Sequence, residues 1–190
     1  MNFIQDLKRS LEVLKNGGVI LYPTDTIWGL GCDATNPVSV QKINIIKTRN
    51  TDSKSLIILV DDVPMLERYV KTIPETASRL ISVSTSPLTI IYPEGINLAE
   101  GICNEDGSVG IRVCHDIFCG ELIRQFRKPL VSTSANITGQ PTPSNFSEIN
   151  KDIIKSVDYT VEYRQKDKQV LSASPIIKVD NNSVIKILRE

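Results

Sequence analysis

Stretches with apolar residues at helical spacing alternate with short apolar runs along almost the whole chain, and this alternation restricts the fold more than any other feature. A helix is predicted over residues 4–14, where apolar side chains recur at helical spacing, and it is expected to end at Gly17-Gly18. Residues 19–24 and 56–60 are apolar runs of strand length, and the second is expected to be covered on both faces. Helices that alternate with strands predict an α/β fold, in which helices pack on the faces of a sheet.

The remaining elements follow from the same two patterns. Helices are predicted over residues 37–48, 64–71, 74–82, 116–126 and 147–155. Strands are predicted over residues 87–93, 109–113, 129–133, 157–163, 175–179 and 184–188. The late strands indicate a mixed rather than a purely parallel sheet. No internal repeat or low-complexity linker divides the sequence, so residues 1–190 are expected to form a single domain.

The charge balance argues against a general nucleic-acid-binding surface. Lys and Arg together number 22, as do Asp and Glu, so the formal net charge at pH 7 is zero. A local basic pocket is still compatible with this balance. The first residues contain neither a long apolar core nor a small-residue cleavage site, and no stretch approaches the roughly 18 apolar residues of a membrane span. We therefore expect a cytoplasmic protein.

The cysteines do not form a recognisable metal-binding motif. Cys114, His115 and Cys119 lie close in sequence, but a tetrahedral site needs a fourth ligand, and no CxxC pair occurs. Reduced cysteines that pack in the interior are the favoured interpretation, and no residue is assigned to a metal. A single histidine without a nucleophile motif also argues against a catalytic triad.

Three polar stretches carry the candidate chemistry, and the first is YPTDTIWGLGCDA, residues 22–34. A predicted strand ends here in the polar residues TDT, and a strand end in an α/β sheet is a common ligand position. Gly29 and Gly31 would allow the backbone to approach a ligand closely or to adopt a positive φ. Their spacing matches neither the dinucleotide-binding GxGxxG motif nor a P-loop, so an ordinary turn is an equal alternative.

The second stretch, KTRNTDSKS, follows the predicted helix that begins at Pro37. If this helix ends near Thr48, then Lys47, Arg49 and Lys54 surround one loop. Such a cluster suits phosphate groups, with arginine as a bidentate fork and lysine as a mobile point charge. A solvated helix end is the alternative, because cations are favoured at helix C-termini.

The third stretch, KPLVSTSANITGQP, ends a predicted strand in small, neutral residues that form hydrogen bonds. Hydroxyl and carboxamide groups such as those of Ser134 and Asn136 can surround the oxygens of an anionic ligand without adding charge. A serine-rich turn is the alternative. Arg112 lies in a separate apolar strand, where an arginine is seldom buried alone, so we expect it to meet either an acidic residue or a ligand.

Taken together and in this order, YPTDTIWGLG, KTRN with KSL, GIRVCHD and STSANITGQP resemble the motifs of the YrdC/TsaC family of L-threonylcarbamoyladenylate synthases. The resemblance spans about residues 19–142, and the final SPIIKVDNNSVIKILRE is similar to the closing strands of the family. It implies the short form of the family: a single-domain, YrdC-like, twisted open mixed sheet flanked by helices, with a large concave basic cavity.

The resemblance also implies a reaction. L-threonine and bicarbonate give N-carboxythreonine, whose carboxylate attacks the α-phosphate of ATP to give threonylcarbamoyl-AMP and pyrophosphate. ATP would enter as a substrate together with Mg2+. The partners implied are downstream proteins that transfer the threonylcarbamoyl group to tRNA, and direct contact with tRNA is left open.

The resemblance also implies site residues, each at a position of this sequence that matches a family motif. Lys47 and Arg49 would be catalytic. The residues expected to bind ATP are Lys47, Arg49, Lys54, Ser134, Asn136, Thr142 and Ser174. Those expected to bind threonine are Thr26, Arg112 and Ser132, with Arg112 on the carboxylate.

The chain departs from the family pattern at several positions. Trp28 stands where Tyr or Phe is usual, Asn50 and Ser55 replace residues that are commonly proline or glycine, and VSTSPLTI replaces WPGPLT. The changes at Asn50 and Ser55 would loosen a loop expected to contact ATP. Two alternatives therefore stay open: a YciO-like paralogue with little synthase activity, and an RNA- or tRNA-binding module with the same fold. HypF-type carbamoyl transfer is set aside, because it would need zinc-finger CxxC pairs and an acylphosphatase domain.

Overall fold

The described part of this computed structural model, residues 3–48 and 56–190, forms six α-helices and nine strands. The helices are α1 (Phe3–Lys15), α2 (Pro37–Ile46), α3 (Val63–Leu66), α4 (Glu75–Val83), α5 (Ile117–Phe126) and α6 (Lys151–Ser156), with a 3₁₀ turn at Phe146–Glu148. The strands are β1 (Ile20–Tyr22), β2 (Gly29–Gly31), β3 (Ile57–Val60), β4 (Thr89–Tyr92), β5 (Val109–Val113), β6 (Leu130–Ser134), β7 (Tyr159–Thr160), β8 (Ile176–Val179) and β9 (Ile185–Arg189). Within these two ranges, no helix has the length and apolar character needed to cross a lipid bilayer.

The strands join one mixed sheet in the order β7-β1-β2-β6-β3-β5-β4-β8-β9. Three neighbouring pairs are parallel, namely β1 with β7, β3 with β5 and β4 with β8. The other pairs are antiparallel. The α/β class and the mixed sheet predicted from the sequence are therefore confirmed.

The two faces of the central strands have different roles. In β5, Ile111 is buried in the core, while Gly110 and Arg112 face the opposite side, because successive residues of a strand point to opposite faces. Helix α3 contacts β3 and β5, α5 contacts β3, and α1 packs on α5. The rings of Phe3 and Phe118 meet edge to face between α1 and α5, with 5.4 Å between their centroids. The face of β5 that carries Arg112 borders a cavity.

Side-chain caps determine where two of the helices begin. The side chain of Asn36 accepts hydrogen bonds from the N–H groups of Val38 and Ser39 at the start of α2. Asp116 accepts one from Cys119 at the start of α5. Each cap supplies an acceptor to N–H groups that have no partner within the helix.

Strand β2 corrects the interpretation of the glycine pair as a loop or turn. Gly29–Gly31 pair with β1 on one side and with β6 on the other. A Cβ atom on Gly31 would lie 2.5 Å from Cε1 of Tyr22 and 3.1 Å from the carbonyl oxygen of Val131. Tyr22 is fully buried, so Gly31 serves close packing between strands rather than a turn.

Several elements are shorter than predicted, and the contacts of β7 and α3 show where the chain leaves the regular structure. Strand β7 has only two residues, because beyond it the N–H groups of Glu162 and Tyr163 donate to the carboxylate of Asp6 instead of to a strand. Helix α3 has four residues, and the chain beyond it forms an isolated bridge between Val70 and Gly95.

Candidate active site

The open face of the sheet forms a cavity of about 920 Å³. Sites for small molecules and cofactors usually have volumes of about 300–1,000 Å³, so this cavity is large enough for a nucleotide. Residues of β2 to β6, β8 and β9 contribute to its wall. The predicted site residues that line it are Thr26, Arg112, Ser132, Ser134, Thr142 and Ser174.

Arg112 lies in the floor of the cavity and is only 4% exposed. Its Nη2 donates to Oδ1 of Asp25 at 2.8 Å and to Oγ1 of Thr26 at 3.2 Å. Its Nη1 donates to Oγ of Ser174 at 3.2 Å. Arg112 therefore meets an acidic residue, which is one of the two alternatives that the sequence left open. It also lines the cavity, and its contact with a ligand stays a prediction.

The bend between β1 and β2 presents Thr26 to the cavity. Oγ1 of Thr24 donates to the carbonyl oxygen of Ile27 at 2.8 Å and accepts the N–H of Thr26 at 3.1 Å. The two threonine hydroxyls lie 3.0 Å apart. These bonds fix the bend from within, so Thr26 and Asp25 reach Arg112 from a rigid support.

Ser174 brings a second arginine to the same part of the cavity. Its hydroxyl lies 2.7 Å from that of Thr89, and its carbonyl oxygen accepts a hydrogen bond from Nε of Arg189 at 2.9 Å. Burial, together with the nearby charge of Arg112, lowers the pKa of Arg189. Two guanidinium groups close enough to influence each other favour an anionic ligand.

Ser132 lies on β6 close to Gly29 of β2, which has no side chain to cover the serine hydroxyl. A Cβ atom on Gly29 would lie 3.1 Å from Oγ of Ser132. The hydroxyl of Tyr22 lies close by and donates to the carbonyl oxygen of Val131 at 3.4 Å. Burial raises the pKa of Tyr22 well above its ordinary value, so the phenol is a neutral neighbour of the site.

Lys47 caps the C-terminus of α2, and its side chain is buried behind the cavity wall. Its ammonium group donates to the carbonyl oxygens of Ser134 and Asn136, at 2.5 Å and 2.7 Å. Oδ1 of Asn136 lies 3.4 Å away. Helix α2 ends before Thr48 as predicted, and Lys47 holds the backbone that follows β6.

Asn136 is bonded to its own loop rather than exposed in the cavity wall. Its Oδ1 accepts from the hydroxyl of Ser134 at 2.5 Å, and its Nδ2 donates to the carbonyl oxygen of Gln140 at 2.6 Å. Ser134 and Thr142 line the cavity, whereas Asn136 does not line it and accepts a hydrogen bond from Ser134. Direct contact of Lys47 and Asn136 with a nucleotide stays a prediction. Arg49 and Lys54 lie outside the described residues.

Sequence reasoning missed the functional candidates at the end of the cavity formed by the loop at residues 101–108 and by β8. Lys178 on β8 lines the wall and pairs with Asp106 at 2.6 Å. This ion pair, with hydrogen bonds from Ser108, lowers the pKa of Asp106 to about 2. Lys178 alternates with buried residues along a predicted strand, and that alternation is the signal that would have found it.

The described wall of the cavity has mixed charge. It carries the cations Arg112, Lys178 and Arg189 and the carboxylates of Glu105 and Asp106. The basic character expected from the family resemblance therefore stays a prediction. Trp28 also lines the cavity and packs on Phe146, with 4.8 Å between ring centroids.

The described residues offer no ready set of metal ligands. Across residues 3–48 and 56–190, no group of three or more His, Cys, Asp or Glu side chains is placed to hold a metal ion. Asp25, the carboxylate nearest the floor, is paired with Arg112. The residues that the structure describes therefore do not form a protein-held Mg2+ site, and no chemical step is assigned to one.

Comparisons with known proteins identify the family and the fold of this chain. The sequence model of the family Sua5_yciO_yrdC, described as Telomere recombination, matches residues 12–190. The threonylcarbamoyl-AMP synthase of Psychromonas ingrahamii is 34% identical over 149 residues, which cover 77% of this chain and 78% of that protein.

Two solved structures show the same fold. YciO from E. coli has a TM-score of 0.82 and 22% identity, and the match covers all of this chain and 90% of that one. Sua5 from P. abyssi, solved in complex with L-threonine, has a TM-score of 0.86 and 24% identity, and this chain spans 54% of it. Because the family model matches nearly the whole sequence and a relative above 30% identity is aligned over three quarters of it, the chain belongs to the Sua5/YciO/YrdC family.

Proposed function

We propose that the protein makes threonylcarbamoyl-AMP and pyrophosphate from L-threonine, bicarbonate and ATP. Family membership and the curated relatives named threonylcarbamoyl-AMP synthase support this proposal. The structural observation that carries it is the position of Arg112 in the floor of a cavity of about 920 Å³, beside the hydroxyls of Thr26 and Ser174. A guanidinium among hydroxyls suits a carboxylate, and the cavity has room for a nucleotide next to it.

Threonine is assigned to the part of the cavity around Arg112. The guanidinium would bind the α-carboxylate, and the hydroxyls of Thr26 and Ser132 would bind its remaining polar groups. Ser174, predicted from sequence to bind ATP, lies against Arg112 and is assigned to the boundary between the two substrates.

ATP is assigned to the remaining wall. Ser134 and Thr142 offer hydroxyl groups to the nucleotide, and Arg189 and Lys178 offer positive charge. Lys47 would act through the backbone of Ser134 and Asn136, which it holds in place. Arg49 and Lys54 are assigned to the phosphates on the family resemblance alone.

The chemistry requires positioning and charge stabilisation rather than a covalent nucleophile. A carboxylate oxygen of N-carboxythreonine attacks the α-phosphorus of ATP, and the bond from that phosphorus to the pyrophosphate oxygen breaks. Mg2+ bound to the phosphates of ATP would neutralise charge on the departing pyrophosphate. Cations and hydroxyls of the wall hold the two substrates in line.

The product would serve downstream proteins that modify tRNA. Threonylcarbamoyl-AMP is a mixed anhydride, so a transferase that accepts it must act before water hydrolyses it. The proposed setting is the cytoplasm, where such proteins and tRNA are present.

The test is pyrophosphate release by the purified protein, with threonine and bicarbonate each present or omitted. We expect release only when ATP, threonine and bicarbonate are all supplied, and threonylcarbamoyl-AMP should be detected by mass spectrometry.

Release that does not depend on threonine, or no release from folded protein, would contradict the proposal. The YciO-like interpretation would then be favoured, since the fold of YciO covers the whole chain. Salt-sensitive tRNA binding without turnover would favour an RNA-binding module instead.

A further inference from the structure

Asp25 and Arg112 form a buried ion pair at the floor of the cavity. The distance between Oδ1 and Nη2 is 2.8 Å, and the side chains are 9% and 5% exposed. Asp25 itself does not line the cavity, whereas Arg112 does. The carboxylate therefore contacts the guanidinium from behind, on the side away from the space that a substrate would occupy.

Both partners come from rigid backbone. Arg112 lies in β5, which pairs with β3 on one side and β4 on the other. The bend that carries Asp25 is fixed by the hydroxyl of Thr24. Because both backbones are fixed, the direction in which the Arg112 guanidinium points depends on the side chains that it contacts. Asp25 is the charged side chain among these contacts.

Each partner also keeps one unsatisfied atom. Nε of Arg112 and Oδ2 of Asp25 are buried and have no hydrogen-bond partner among the described residues. Unsatisfied buried polar atoms are costly and uncommon in folded proteins. Here both atoms belong to the same ion pair, so the packing of the described residues leaves one donor of the guanidinium and one acceptor of the carboxylate without a hydrogen bond.

A second ion pair holds the bend of Asp25 in place. Nη1 of Arg164 donates to Oδ2 of Asp116 at 2.8 Å and to the carbonyl oxygen of Thr24 at 3.2 Å. Arg164 therefore links the start of α5 to the residue before Asp25. Ser174, at the far end of the same connection between β7 and β8, bonds Arg112 directly.

We propose that Asp25 is a positioning residue for substrate binding: it holds the Arg112 guanidinium so that the N–H of Nη1 that is not bonded to Ser174 meets the carboxylate of threonine. This inference rests on the proposed function and deepens it. Asp25 acts through Arg112 and touches no substrate. Its carboxylate also balances a charge that is almost fully buried, which an uncharged residue could not do.

The test compares wild type with Asp25→Asn, which keeps the size of the side chain and removes its charge, and with Asp25→Glu, which keeps the charge. We expect Asp25→Asn to raise the KM for threonine at least about tenfold, because loss of one partner of a buried charge pair weakens the function of the other. The KM for ATP should change less than about twofold. Asp25→Glu should restore part of the threonine affinity.

Asp33→Asn is the matched control. Asp33 is another buried aspartate paired with a cation, Lys128, at 2.6 Å, and it does not line the cavity. We expect it to alter thermal stability without a selective change in the KM for threonine. Equilibrium binding of radiolabelled threonine to each folded variant gives a second readout that does not require turnover.

The outcomes separate this inference from the proposed function. If wild type releases no threonine-dependent pyrophosphate, the proposed function fails. If wild type is active and folded Asp25→Asn keeps its KM for threonine, or raises both KM values equally, the positioning role alone is overturned. A lower KM for threonine in Asp25→Asn would also overturn it, because Asp25 would then compete with the substrate for Arg112.

Discussion

At the scale of single residues, polar side chains of the candidate site are held by other polar groups of the protein. Arg112 bonds three side chains, and Lys47 bonds two carbonyl oxygens. Such contacts fix the groups before a substrate arrives, which favours precise binding. Each of these two candidate residues is therefore hydrogen-bonded to the parts of the protein that hold it in place.

Replacement of Arg112 by alanine should abolish threonine-dependent pyrophosphate release while leaving ATP binding largely unchanged. The guanidinium is the charged group of the floor that suits a carboxylate, and its loss also leaves Asp25 unpaired. Steady-state kinetics and nucleotide binding by calorimetry would check this. The control is Arg124→Ala on the exposed face of α5, where a solvent-screened surface pair contributes little to stability. An unchanged KM for threonine in Arg112→Ala would show that Arg112 does not bind threonine.

Lys47→Met should destabilise the fold by about 1–3 kcal/mol, because two partly buried carbonyl oxygens lose their donor. Urea unfolding measures the change in free energy. Lys42→Met is the matched control, since Lys42 lies on the same helix and donates to one carbonyl, that of Gly17, and should cost less. Full stability together with lost activity in Lys47→Met would instead place Lys47 directly on the phosphates.

The position of Lys47 shows where residue-level prediction stops. The sequence indicated a cation cluster at the end of α2, and the helix does end before Thr48. The acceptors of the ammonium group, however, are 87 and 89 residues away along the chain. Local spacing carries no information about partners at such distances, so the inward direction of this lysine was not predictable.

At the scale of the elements, β2 shows how packing can override local propensity. Glycine is depleted in strands, and a Gly-Leu-Gly triplet does not predict one. The triplet nevertheless pairs on both sides, since Gly31 leaves room for the ring of Tyr22. The longer apolar runs that became β3, β5 and β6, and the capped helices α2 and α5, were predictable because their signals are local.

Gly31→Ala should destabilise the protein by about 1–3 kcal/mol or more, because the added methyl group overlaps the ring of Tyr22. Gly120→Ala in α5 is the contrasting substitution, since its Cβ would have an ordinary contact of 3.7 Å with the carbonyl oxygen of Cys114. That change should stabilise the protein by up to about 1 kcal/mol, owing to the higher helix propensity of alanine. Chemical denaturation gives the free energy of unfolding of both variants. Equal changes in the two variants would contradict the explanation that Gly31 is needed for close packing against Tyr22.

At the scale of the whole molecule, seven strands from distant parts of the chain supply one wall. The segment of the sheet from β2 to β9 lines the cavity, and edge strand β9 contributes Leu188 and Arg189. Sequence patterns predicted every described strand except β2, but not the lateral order of the strands, which depends on contacts between distant segments. The clustering of the site residues could therefore be expected only from the family resemblance.

Acid should weaken the link between the loop at residues 101–108 and β8. The pKa of Asp106 is lowered from 3.8 to about 2 by Lys178, so its contribution to stability is present above the unfolded value and is lost as the pH falls through about 2. The pair is largely exposed, so the contribution is below about 1 kcal/mol. Unfolding free energies of wild type and Asp106→Asn should differ at pH 5 and converge towards pH 2; a constant difference would contradict this.

The strand order also has a consequence for synthesis of the protein on the ribosome. Domains gain structure as the chain emerges, starting from the N-terminus. The floor around Arg112 can form early, whereas Lys178 and Arg189 enter the wall with the last two strands. A nascent chain would therefore carry an unfinished cavity until residue 189 has left the exit tunnel, and substrate binding should begin only at that stage.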